Sequence, residues 1–249
     1  LITGRTFWIG ALALLAFALF LIARFPAAWV VGALPAGLSC DSIDGTLWNG
    51  ACGGLTLHHQ QLLGDLTWQL QPTRLLVGRL AAHVELTQAG DFVNADLEAS
   101  AGGRLFAHNV HASVHLNPAL LPQLPGGLRG VVRADLTHAE VDHGRVAALS
   151  GRIEAHDLAQ TGGTTVELGS YALAFPEAAP HAALAGELND LGGPLALTGT
   201  LRMTPEPGFV VEGKVAARPT ASANLVRQLQ MLGAPDADGR RSFSIANTF

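Results

Sequence analysis

The sequence predicts a mainly β protein: an extended antiparallel meander, forming a rolled or curved sheet with the option of an apolar groove, after one N-terminal transmembrane helix. Three observations carry that reading. Apolar and polar residues alternate with period two as the dominant pattern of the chain beyond Cys40. The alternating stretches succeed one another at roughly ten-residue spacing, separated by Gly- and Asp-containing turns. Finally, Thr6 to Ala23 form a run without charge between Arg5 and Arg24, about 27 Å long if helical and close to the thickness of a bilayer's hydrocarbon core.

The N-terminal run is longer than the ~7–15 apolar residues of a cleaved signal peptide, and Arg24-Phe25-Pro26 follows it instead of a small-x-small site. A retained anchor is therefore the better reading. Residues 26–38 then suit a short interfacial helix, with Pro26 in its first turn and Trp29 at a membrane–water boundary. Between Gly45 and Leu80 two tryptophans, Trp48 and Trp68, fit a hairpin. Pro72 to Val77 fit a helical turn stopped by Gly78.

The strands follow in order. Leu80, Ala82, Val84 and Leu86 alternate with His83, Glu85 and Thr87; past the Ala89-Gly90-Asp91 turn, Val93, Ala95 and Leu97 repeat the pattern. Beyond Gly102-Gly103 come Val110, Ala112, Val114 and Leu116. A short turn is expected from Asn117-Pro118, and then Val132, Ala134 and Leu136 alternate with Arg133, Asp135 and Thr137. Asp142-His143-Gly144 marks a hairpin leading to Leu149, Gly151, Ile153 and Ala155. Over 164–175 the parity switches at Gly169, from Val166 and Leu168 to Tyr171, Leu173 and Phe175, which predicts a β-bulge. Strands at 182–190, 194–203 and 209–217 follow, the last two joined by Pro205-Glu206-Pro207-Gly208. A helix over 222–232 carries Leu225, Leu229 and Leu232 on one stripe, and Phe243, Ile245 and Phe249 close the chain as a strand.

Composition narrows the function classes. Charged residues make up 14% of the 249 and the net charge is −5, with Lys214 as the one lysine, so a basic nucleic-acid footprint is missing. Without the anchor the remainder is still only about 15% charged, against roughly 25% in ordinary soluble domains. Many inward faces are Ala, Val and Gly, so the sheet must close tightly or leave a shallow apolar groove.

No catalytic pattern emerges. There is no G-x-S-x-G elbow, no G-x-G-x-x-G, and Lys214 lacks the Ser/Thr of a phosphate-binding loop. His108, His111 and His115 cluster, but no carboxylate or cysteine near them in sequence completes a metal set, so a solvated polar face is expected; the same holds for His58-His59. Asp236-Ala237-Asp238-Gly239 opens like a calcium loop, but Asn247 stands where a bidentate glutamate is required, and a turn is the better reading.

Cys40 and Cys52 are the only cysteines. In a reducing cytosol they would read as free buried thiols; the favoured reading is a disulfide in an oxidising compartment, most simply the bacterial periplasm. That orients the chain: a short cytoplasmic N-terminus (1–5), the transmembrane helix (6–24) and one periplasmic β-rich domain (25–249).

The motifs left over are G-T-L-W-N-G, which contains Gly45, Leu47, Trp48 and Gly50, and the W-x-L-x-P-x-x-L-L-x-G-x-L run with Trp68, Pro72 and Gly78. With the L-G-A-P-D-A-D-G-R tail at 232–240, they make the chain resemble the type II secretion system protein N family along essentially its whole length. The resemblance implies an accessory, non-enzymatic component of the machine that exports folded proteins through the outer membrane. It implies inner-membrane platform subunits as partners, the outer-membrane secretin as a further candidate, and no cofactor, catalytic residue or metal. The competing reading is a lipid-binding or lipid-transfer protein, because AsmA-like periplasmic proteins are similar in having one anchor and repeated strands with small apolar faces.

Overall fold

A computed structural model describes residues 4–29, 37–57, 61–116, 127–162, 165–177, 184–204 and 208–248. The turns expected at His58-His59 and from Asn117, most of the interfacial helix beyond Trp29, Pro205-Glu206-Pro207 and Phe249 lie outside these residues. Of the interfacial helix, Ala27–Trp29 form a short helical turn. The chain divides into two compact units, Leu1–Ala89 and Gly90–Phe249.

In the first unit, α1 (Gly4–Ala23) is a 20-residue helix. Its described large side chains point outward on every side, Leu12 at 70%, Leu14 at 73% and Phe17 at 61% exposure. Among the described residues, however, no helix is long and apolar enough to cross a membrane. The transmembrane helix expected at 6–24 is corrected to that extent. Arg5 and Arg24 confine the uncharged run to about 27 Å, short of a hydrocarbon core of ~30 Å, and Thr6 and Gly10 interrupt its apolar character.

The strands of this unit are β1 (Leu38–Ser39), β2 (Ser42–Gly45), β3 (Asn49–Leu57), β4 (Gln61–Leu70) and β5 (Arg79–Gln88), all antiparallel. β1 and β2 pair with successive parts of the same edge of β3; β4 pairs with the other edge and β5 with β4. Cross-strand partners share a face, so Cys52–Leu66–Leu86 and Gly50–Trp68–Val84 are two rows of one apolar face. The opposite face carries Ala51, Thr67 and Glu85. α2 (Pro72–Leu75) joins β4 to β5, with proline in its first turn.

The second unit runs β6 (Asp91–Ser100), β7 (Arg104–His115), β8 (Leu128–Asp142), β9 (Arg145–Thr161), β10 (Thr165–Phe175), β11 (Ala185–Gly192), β12 (Leu195–Met203) and β13 (Gly208–Ala217), then α3 (Ala223–Gln230) and β14 (Arg241–Thr248). Each strand pairs antiparallel with the next, and the path stays open. Register sets the faces. Val93, Ala112, Ala134, Ile153, Leu173, Leu188, Gly199, Gly213 and Phe243 are successive partners in a row crossing nine strands. The neighbouring row on the other face reads Asn94, His111, Asp135, Arg152, Ala174, Glu187, Thr200, Glu212 and Ser244.

The parity switch expected at Gly169 is present: register shifts on both sides of it, and its φ of +102° suits glycine alone. The shift keeps Val166 and Leu168 on the same face as Tyr171, Leu173 and Phe175, and Val166 and Leu168 pack into the core. That core gathers at one end of the sheet, where α3 lays Leu225 over Leu195 and Val215, with Leu229 and Phe243 around them. Ser222 caps α3 by accepting from the Leu225 N–H. Over β7–β9 no described side chain is fully buried. The small-residue face is a single layer there.

Candidate functional site

The residues that stood out in the sequence converge on one wall of the first unit. Gly45, with φ +90°, makes the turn out of β2; a Cβ there would lie 2.4 Å from the Asn49 carbonyl oxygen. The turn closes when Thr46 N–H donates to Asn49 O at 2.8 Å, while Asn49 N–H reaches Thr46 Oγ1 at 3.2 Å. This presents Leu47 and Trp48. Leu47 N–H donates to Phe25 O, and Trp48 O accepts from Leu70 N–H at 2.7 Å. The Trp48 indole N–H donates to Ile22 O near the end of α1, at 2.8 Å.

Gly50 has a different task. A Cβ on it would sit 2.2 Å from the Trp68 ring, so the glycine is the bed across which that indole lies. Trp68 Nε1–H then donates to Leu47 O at 3.0 Å, tying the two motifs together. Pro72 starts α2, and Gly78, with φ +72°, ends it by donating its N–H to Leu75 O. Cys40 and Cys52 form a disulfide with their Cα atoms 5.6 Å apart, and Cys52 is 1% exposed.

Together these elements enclose a hollow of about 540 Å³. Its walls are Phe25, Ala27 and Trp29 beyond α1; Leu47 and Trp48 of the turn; the disulfide and Ile43; Leu66, Trp68 and Leu70 of β4; Leu75 of α2; and Leu80 and Ala82 of β5. Every lining residue is apolar. Sequence reasoning singled out the tryptophans, the cysteines, the glycines and, within the second motif, Leu70, Leu75 and Leu80, but not Phe25, Ile43 or Leu66. The even-numbered apolar rows of β4 and β5 were the available signal, and only register could show that they face the same hollow. A second, polar recess of about 480 Å³ touches Asp44, Asn49, Gln69, His83 and Glu85.

A model of the type II secretion system protein N family matches residues 36–244. The chain belongs to that family. No curated protein and no solved structure is significantly similar to it. The family match takes in both motifs and both cysteines, and nearly all of the second unit. Membership makes the chain a secretion-system component.

The clustered histidines of this family member, His108, His111 and His115, lie on the polar face of its second unit. His111 Nδ1 lies 2.7 Å from the Asp135 carboxylate, and the His115 ring pairs with Asp91. His108 and His138 stack with ring centres 4.9 Å apart. The carboxylates missing from the local sequence are thus supplied by neighbouring strands for His111 and His115, while His108 meets a second histidine instead. Among the described residues, no three His, Cys, Asp or Glu side chains are grouped to hold a metal ion. Asp236 makes a turn, its carboxylate accepting from Asp238 N–H, Arg240 N–H and Lys214. Those donors, Lys214 first, hold its carboxyl below the ordinary range.

The most ordered polar cluster closes β11–β12. Arg218 donates to Asp190 and to the carbonyls of Gly193 and Leu195, and Leu197 N–H donates to Asp190. Partial burial pushes the Asp190 carboxyl up, but Arg218 and the backbone donors outweigh it and hold the group below its ordinary value. Nearby, burial raises the Tyr171 hydroxyl above its usual pKa. On β9, His156 and then Arg152 lower that of Glu154. The Asp190–Arg218 cluster ties the β11–β12 turn to the residue that follows β13, whereas Glu154 is held by neighbours on its own strand.

Proposed function

We propose that the chain is a non-enzymatic accessory component of type II secretion, acting in assembly or interaction of the machine from the periplasmic side of the inner membrane. The observation that carries this is the family match over residues 36–244. The disulfide supports an oxidising compartment for the β-rich part. The outward-facing apolar side chains of α1 support its role as the element that holds the chain at the membrane, since a helix apolar on all sides needs an apolar surround. Platform subunits of the inner membrane are the proposed partners, with the outer-membrane secretin a further one.

Deletion of the gene should leave secretion substrates in the periplasm, and the full-length copy should restore export. Normal export together with normal levels of every platform subunit would sink the reading. The lipid-carrier reading draws support from the half-exposed apolar row over β7–β9. It requires lipid along that face, so photo-crosslinking from Ala134 that never captures lipid would dispose of it.

A further inference from the structure

The hollow of the first unit has a shape and a chemistry that secretion-system membership leaves unassigned. We propose that it is a binding site for a single fatty acyl chain. Its volume, about 540 Å³, falls within the ~300–1,000 Å³ of small-ligand sites. Its lining offers an occupant almost no hydrogen-bonding group: of its three indoles, those of Trp48 and Trp68 already donate to Ile22 O and Leu47 O, the third belongs to Trp29, which is 71% exposed, and both cysteine sulfurs are in the disulfide.

That excludes occupants by kind. A peptide segment would bring several backbone N–H and C=O groups into a wall that has at most the Trp29 indole to pair with them, and each group left over costs free energy when desolvated unpaired. A sugar or nucleotide fares worse. A hydrocarbon chain brings no polar group and gains from burial alone. The position agrees with this occupant, because the hollow begins at Phe25, directly after the exposed apolar surface of α1. Trp48 pins the rim to the end of that helix.

The site stands independently of the secretion role, and its test needs neither a membrane nor a partner subunit. The full chain, held in amphipol, is titrated with cis-parinaric acid while energy transfer from the indoles is read. Saturable uptake near one equivalent is expected. Ala82→Phe and Leu66→Phe each place bulk in the hollow and should weaken uptake at least tenfold, with unchanged far-ultraviolet dichroism. Leu76→Ser, at a site 88% exposed and outside the lining, should bind like the parent chain. Native mass spectrometry of the unaltered chain after mild extraction adds a readout that depends on no variant: one acyl-bearing molecule per chain supports the site.

Absence of saturable uptake, or uptake that survives both filling substitutions in folded protein, would overturn the proposal. So would a lipid-free chain whose filled variants lose capture of a platform subunit, since the hollow would then receive a protein side chain. Failure of secretion in the deletion strain, by contrast, bears only on the role proposed for the whole chain.

Discussion

Three glycines carry no unusual φ yet are as constrained as those in turns. Gly50 underlies Trp68, Gly186 underlies Phe175, and Gly213 underlies Phe243; a Cβ on each would lie 2.2–2.8 Å from the aromatic ring. An aromatic side chain thus covers a gap that the partner strand leaves, a cross-strand device that holds register. Gly50→Val should displace Trp68 and cost about 1–3 kcal/mol, in the range of overpacking. A red shift in tryptophan emission and a lower denaturation midpoint would check it. Asp190 illustrates the electrostatic counterpart. Its folded carboxyl lies below the ordinary 3.8, so its stabilisation is complete above that value and is lost as pH falls through the depressed one. Asp190→Asn should therefore cost about 1–3 kcal/mol at pH 7, because Arg218 is left half-buried with its carbonyl partners alone. Urea unfolding at pH 7 and at strongly acid pH should show the penalty shrinking in acid.

At the scale of elements, the bulge in β10 makes the strongest prediction. Removing Gly169 would restore strict alternation and turn either Val166 and Leu168 or Tyr171, Leu173 and Phe175 onto the polar face. The deletion should abolish cooperative unfolding of the second unit, whereas Gly169→Ala should only weaken it, through the positive φ and a 2.8 Å approach to Gly192 O. The loss of near-ultraviolet signal distinguishes the two. The parity break was legible because a bulge leaves a mark in a period-two pattern. β1 and β2 were not legible as separate strands: two and four residues are too short to show a period, and their pairing depends on β3. In the first unit the disulfide closes a loop with a sequence separation of 12, worth about 3 kcal/mol in the chain-entropy model. Replacing both cysteines with alanine should lower stability by about that amount. Thiol labelling of the unfolded, unreduced parent chain should find no free thiol.

For the whole molecule, composition already spoke of a β-rich chain short of charge, and register explains where the deficit sits. One face of the second unit is a nine-strand row of Ala, Val, Leu, Ile, Phe and Gly. Its reverse carries neutral Asn, Thr and Ser among a few charges, some of them tied to a neighbour, as Asp135 is to His111. The motifs marked a family, but nothing local in them announced a hollow, because its walls also come from Phe25, Ile43, Leu66 and Ala82, which lie outside the motifs and are brought to them only by the fold. The membrane-crossing span expected at 6–24 was overread for a simpler reason. A run of uncharged residues reports what a helix avoids, while its ability to cross a bilayer depends on length as well.

The order of strands in the second unit equals their order in the chain, so each shares its backbone ladder only with its immediate neighbours. A protein wired in this way comes apart like a stack rather than like a droplet. Its free energy is a sum over adjacent pairs, the ends open first, and the middle is guarded by everything on either side. Hydrogen exchange in β14, despite its regular ladder, should then outpace exchange in β8 and β9, the two longest strands. The same wiring lets the chain assemble as it is delivered: every new strand finds its template already in place, with no wait for a distant segment to arrive.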